Sequence, residues 1–193
     1  MYHSIQNIPK NEIMRSLHVK PRAFSIQMWL LKALGYRGCS VSEVLAAFNT
    51  NSSEKLVGLT FDDGYENFYH NALPVLRRFG FSATVYCVSD LIGQDNEWDR
   101  DTGISPNALM TDKQLSICLQ EGIEIGCHSA THKSLTTANC NLRQEVISAK
   151  TTLENRFKTS VSTLCYPYGH FNDRVISATH EAGFKSATTM IRA

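Results

Sequence analysis

The chain has 193 residues, 42% hydrophobic and 19% charged, with 19 basic against 18 acidic side chains. That is enough for one substantial core and a single domain, 1–193, while a formal net charge of +1 creates no field to draw nucleic acid or a membrane surface. No run reaches transmembrane length, and Met1-Tyr2-His3-Ser4 lacks the basic-then-apolar order of a signal peptide, although an exported precursor could have been trimmed.

The six cysteines, Cys39, Cys87, Cys118, Cys127, Cys140 and Cys165, show no CxxC pair and do not resemble a disulfide framework. Cys87, Cys127 and Cys165 lie in apolar strand-like runs, where a buried thiol is the ordinary explanation and a reducing, cytoplasmic compartment is favoured.

In chain order, the first residues are strand-like but short, and the segment to about Pro21 is irregular. Phe24 to Gly35 has apolar residues at helical spacing and a terminal glycine, which predicts a helix; Ser42 to Phe48 is a second, capped by Ser42 or Ser40. Asn49 to Glu54 is a polar turn cluster. Leu56 to Phe61 is apolar and predicts a buried strand, followed by a helical pattern from Glu66 to Phe79 in which Pro74 requires a break or a first turn. Ser82 to Val88 reads as a strand of the buried parallel kind, and Asp90 to Asn107 as a long polar loop. Thr111-Asp112-Lys113-Gln114 is a capping box opening a helix that Gly122 closes. Strand Ile123 to Cys127 ends on His128, amphipathic helix Leu142 to Phe157 follows, and strand Val161 to Tyr166 is interrupted by Pro167. Asp173 to Ala182 is a helix, and Phe184 to Met190 a last strand. Strand and helix thus alternate about six times, which predicts a parallel α/β fold, either an open doubly wound sheet or a barrel.

In both architectures function gathers at the carboxyl ends of the strands. Those ends carry Asp62-Asp63, His128 and Tyr166-Pro167-Tyr168-Gly169. Adjacent side chains on an extended segment diverge, so Asp62 and Asp63 can reach different atoms of one site, such as a metal and its water; alone, the pair reads more simply as an Asp-Gly turn. His128-Ser129-Ala130-Thr131-His132 spaces two imidazoles at i and i+4, and a helical turn there would let both bind one ion. Two imidazoles and one aspartate leave a position for water, the pattern of catalytic rather than structural zinc. Cys127 is no fourth ligand, because neighbouring strand residues point apart.

Thr60-Phe61-Asp62-Asp63-Gly64, His128 to His132 and Tyr166 to Gly169 resemble, in order, the first three motifs of the polysaccharide deacetylase family, carbohydrate esterase family 4, also called the NodB homology domain. Met1-Tyr2-His3-Ser4 and the stretch from Leu73-Pro74-Val75-Leu76 to Val85 are similar to its poly-N-acetylglucosamine deacetylase branch. The resemblance implies a distorted (β/α) barrel of about seven repeats in one domain. It implies that Asp63, His128 and His132 hold one divalent ion, zinc first, with cobalt, nickel or iron as alternatives. Asp62 would be the general base, a backbone N–H near Tyr168 would hold the oxyanion, and Pro167 and Tyr168 would shape the sugar groove. The implied activity is removal of N-acetyl groups from N-acetylglucosamine-containing glycans. Rival readings are an O-acetyl esterase on xylan-like chains, a deacylase of small or lipid-linked amides, and a glycan-binding domain with a vestigial site. The family is often exported.

Trp98, next to Asp99, either covers the groove by stacking on sugar or anchors its loop to the body. Two departures stand out. Cys165 occupies the place, two residues before Pro167, where many relatives carry an arginine that orients the base. The sequence ends at Ala193, before the late Leu-x-His motif whose histidine protonates the leaving amine, so no general acid is named. His170 reads as a solvent-facing loop residue, His180 as structural and His70 as a helix-surface residue, while His3 is a candidate to line the site. Oligomeric state is not legible.

Overall fold

The apolar runs of the sequence become parallel strands because each is followed by a helix that carries the chain back across the sheet. In the computed structural model, which describes residues 1–190 apart from Pro9, Asn11, Asn51 and Ser52, β1 (Ser4–Ile5) pairs in parallel with β2 (His18–Val19). Part of the expected turn at 49–54 and the last three positions lie outside the described residues. Helix α1 (Pro21–Ala33) starts earlier than its apolar spacing suggests, with proline in its first turn. Strand β3 (Arg37–Cys39), too short and glycine-centred to stand out in the sequence, pairs with β4 (Leu56–Gly58). Helix α2 (Val41–Asn49) lies between them, and the cap is Ser40, in a reciprocal box with Glu43.

The expected strand at 56–61 is divided at Leu59. Its N–H donates to the Cys39 carbonyl and its own carbonyl accepts from Thr84 N–H, both at 2.9 Å, so the chain changes partners there. It continues as β5 (Thr60–Phe61), the first of five parallel strands in the order β5, β6 (Thr84–Cys87), β7 (Glu124–Cys127), β8 (Thr163–Cys165), β9 (Ser186–Thr188). The result is α/β with a curled parallel half-barrel sheet.

Helix α3 (Leu73–Phe79) is entered through a π-helical turn, Phe68–Ala72, that ends beside Pro74, which has no N–H to donate. Helix α4 (Asp112–Gln120) starts at the expected Thr111–Gln114 box. Helix α5 (Ala149–Phe157) is the second half of the expected helix from Leu142, whose first half is another π-helical turn, Arg143–Ser148. Helix α6 (Asp173–Glu181) is capped by Asn172. Val85, Ile125 and Leu164 from the strands meet Leu76, Leu115, Val146, Leu153 and Val175 from the surrounding helical segments in one core cluster. No helix among the described residues is long and apolar enough to cross a membrane.

Candidate active site

At the carboxyl end of β5 the backbone turns sharply: Asp63 has φ +70° and Gly64 φ +75°. A Cβ on Gly64 would meet nothing closer than Cys87 Sγ at 3.5 Å, so glycine is needed for the left-handed backbone rather than for space. Asp63 itself bears the strain of that region, which short polar side chains tolerate best. The turn aims Asp63 Oδ1 at two imidazoles, 3.3 Å from His128 Nε2 and 3.2 Å from His132 Nε2. All three residues are buried, and their donor atoms lie within 4.8 Å of one another.

The two histidines do not meet on a helical turn. The segment after β7 is a loop with Ser129 at φ +62° and His132 at φ +61°, and the regular helical hydrogen bonding resumes only past residue 141. Glu145, 3% exposed, holds it: one carboxylate oxygen accepts from the N–H groups of Ala130 (3.1 Å) and Thr131 (2.9 Å), the other from Thr131 Oγ1 at 2.7 Å. A buried carboxylate satisfied by three donors rigidifies what would otherwise be a strained loop. Nothing in the local pattern marks Glu145, which looks like one more polar residue of an amphipathic helix.

His128 Nδ1–H donates to the Cys165 carbonyl at 2.8 Å, which fixes the tautomer and leaves Nε2 facing Asp63. Cys165 thus orients His128 through its backbone carbonyl, while its Sγ lies within 4.8 Å of donor atoms of Asp62 and His128. Its buried thiol, whose pKa burial raises, supplies no positive charge to Asp62. The cation-capable groups beside Asp62 are His128 and His3, the latter with Nε2 3.8 Å from Asp62 Oδ2, and no lysine or arginine pairs with Asp62 among the described residues. Tyr2 places His3 there, donating its N–H to the Thr60 carbonyl at 2.8 Å and accepting from Asp62 N–H at 2.9 Å.

Burial pushes the Asp62 carboxyl above its ordinary range against the opposing pull of His128 and His3. Burial acts on Asp63 in the same sense, but the two imidazoles outweigh it and hold that carboxyl well below the usual range. His132 is lowered by burial, whereas His128 is held high by Cys165 and Asp63 despite burial. Asp63 Oδ1 lies close to both imidazoles without hydrogen-bond alignment, and His132 Nδ1 also has no partner. Such a convergence of one carboxylate and two imidazoles fits a divalent cation in chemistry and number of donors.

The cleft above the cluster has a volume of about 560 Å³. Trp98 stacks on the His132 ring at 4.3 Å and packs against the buried group Tyr65, Val88, Leu91 and Leu109, so it both faces the cleft and anchors its loop. Tyr168, at φ +59°, packs its ring in a T-shaped arrangement with His132, the ring centres 4.9 Å apart. Pro167 is buried at the start of that turn. Met14, Leu17 and Ile104 add an apolar wall. The Met14 segment is tied down by buried Glu12, which accepts from the N–H groups of Met14 (3.0 Å) and Ser105 (3.1 Å). His170 is exposed at the edge, within 3.2 Å of Ser134 Oγ. His180 is exposed on α6, and His70 is a surface residue beside Glu66 at 3.7 Å.

The family model for polysaccharide deacetylase matches residues 49–187. The chain belongs to the polysaccharide deacetylase family. It is 29% identical over 192 residues to the Bacillus subtilis (strain 168) protein YxkH, whose name places it among polysaccharide deacetylases, covering 98% of this chain and 62% of that one. It is 26% identical over 142 residues to a poly-beta-1,6-N-acetyl-D-glucosamine N-deacetylase of Staphylococcus aureus, covering 68% and 47% respectively. The chain thus spans about three fifths or less of the length of these curated relatives. The solved Streptococcus pyogenes deacetylase PplD, in complex with acetate, superposes with a TM-score of 0.79 at 26% identity, over 95% of this chain and 79% of that one.

Proposed function

We propose that this chain is the catalytic unit of a metal-dependent hydrolase that removes N-acetyl groups from N-acetylglucosamine-containing glycans, on a distorted barrel of about seven repeats in one domain. The observation that carries the reading is the convergence of Asp63, His128 and His132 beside a separate buried carboxylate, Asp62, in one cleft at the strand ends. A divalent cation held by Asp63, His128 and His132, zinc first by its donor set, would acidify a water and polarise the acetyl carbonyl.

Asp62 takes the proton of the attacking water, and His3 keeps its carboxylate turned toward that water. Gly169 and His170 spend their N–H groups on the carbonyls of Tyr166 (2.8 Å) and Pro167 (3.2 Å), which leaves the Tyr168 N–H as the donor of this motif to the developing oxyanion. The Tyr168 ring and Trp98 form the wall on which the sugar rests, and buried Pro167 fixes the turn that presents Tyr168. The N-deacetylase activity in the name of the Staphylococcus aureus relative supports an N-acetyl substrate, and the acetate bound to PplD supports release of an acetyl group.

The deciding experiment loads the purified protein with zinc and measures acetate released from β-1,6-linked N-acetylglucosamine oligomers and from acetylated xylan. Release from the first is expected. Release from xylan alone would move the assignment to an O-acetyl esterase, and stoichiometric metal with no acetate from either would return it to a small-amide deacylase or a glycan-binding domain.

The role of His3 makes a separate expectation. His3→Ala lowers kcat by about 10- to 100-fold with metal content unchanged, and His3→Gln, which keeps a donor, recovers part of the loss. Equal loss in both variants would leave His3 a packing residue only.

A further inference from the structure

Asp99 is a buried carboxyl in the same cleft that the chemistry above leaves unused. It is firmly held. Asn96, 2% exposed, donates Nδ2–H to Asp99 Oδ2 at 3.0 Å, and is itself fixed by accepting Asn107 N–H on Oδ1 at 2.6 Å. The Asp99 carbonyl accepts from Thr102 Oγ1 at 2.7 Å. Asp99 Oδ1 has no hydrogen-bond partner among the described residues.

Both spare carboxyls line the same cleft as the metal-competent cluster, Asp62 beside His3, His128 and Cys165, and Asp99 on the wall where its neighbour Trp98 stacks on the His132 ring at 4.3 Å. A carboxylate on that wall restricts what a substrate can place against it. The carbonyl oxygen gains negative charge during the reaction and is repelled by a carboxylate, the attacked face belongs to Asp62, and the acetyl methyl has nothing to donate. The remaining polar group of an acetamide is its N–H. We propose that Asp99 accepts the amide N–H of the substrate and so selects amides over esters in this cleft, an assignment that rests on the deacetylase reading above. An ester would put a lone-pair oxygen where the N–H sits, leaving the buried carboxylate facing another acceptor, and unmade contacts of this kind produce the strongest discrimination between analogues.

The test compares zinc-loaded wild type, Asp99→Ala and Asp99→Asn on an N-acetylglucosamine oligomer and an O-acetylated xylan oligomer, with metal content and thermal midpoint as folding controls. For Asp99→Ala, kcat/KM on the amide is expected to fall by about 100-fold while that on the ester holds or rises, collapsing the selectivity ratio. The isosteric Asp99→Asn, which retains the volume beside Asn96, carries the comparison if the alanine variant does not fold; its ratio falls in the same direction. An equal loss on both substrates would assign Asp99 to a sugar hydroxyl or to loop structure, and an unchanged amide rate would remove it from the site; either overturns the proposal. Wild type inactive on both substrates would instead overturn the deacetylase reading itself.

Discussion

Asp62→Asn is expected to abolish useful acetate release, lowering kcat by about 10²- to 10⁴-fold, while metal content stays at the wild-type level. Asparagine keeps the size of the side chain but cannot take a proton. Asp62 stands apart from the metal-competent triad: its Oδ2 faces His3 at 3.8 Å and its Oδ1 is buried without a partner. Asp63, by contrast, is the carboxylate between the two imidazoles. The variant also separates two ways of reading the cluster, because Asp62, His128 and Cys165 form a second group whose donor atoms lie within 4.8 Å. Metal analysis of Asp62→Asn decides between them: lost metal would place the ion on Asp62 and Cys165, and retained metal with lost turnover assigns Asp62 to the water.

His132→Ala is expected to weaken metal binding by more than about 100-fold and to take activity with it. The substitution removes one of three donors, and a cation left with one imidazole and one carboxylate has no closed protein set. The ring is also the surface on which Trp98 stacks and with which Tyr168 makes a T-shaped contact, so its loss opens the cleft wall. Chelator competition and metal analysis on the purified variant give the measurement, and full occupancy would remove His132 from the ligand set. A thermal scan on metal-free samples keeps the two effects apart: loss of metal affinity at an unchanged apo midpoint reports ligation, and a lowered apo midpoint reports packing.

Much of the fold was legible in local pattern. The Thr111–Gln114 box, the left-handed stop at Gly122 and the apolar run at Thr84–Cys87 each depend on residues a few positions apart, and each forms where that spacing places it. Structure departs from local pattern where a longer-range partner overrides it. The strand through Leu59 divides because β3, unseen in the sequence, takes its first half, and the expected helical turn at His128 to His132 gives way to a loop because Glu145 satisfies its N–H groups. Left-handed backbone at Ser129 and His132 has no signature when the residues are not glycine.

The sequence by itself determined which residues were candidates: Asp62, Asp63, His128 and His132 at strand ends, the Tyr166-Pro167-Tyr168-Gly169 turn, and the unusual Cys165. Only the tertiary structure decided how they are supported. His3 approaches Asp62, the Cys165 carbonyl orients His128 from 37 residues away, and Asp99 is held by Asn96 in the wall of the same cleft. The physical reason is reach: periodicity and capping report interactions within a turn or a strand, whereas the orientation of a buried imidazole or carboxylate depends on whichever backbone group the sheet brings beside it.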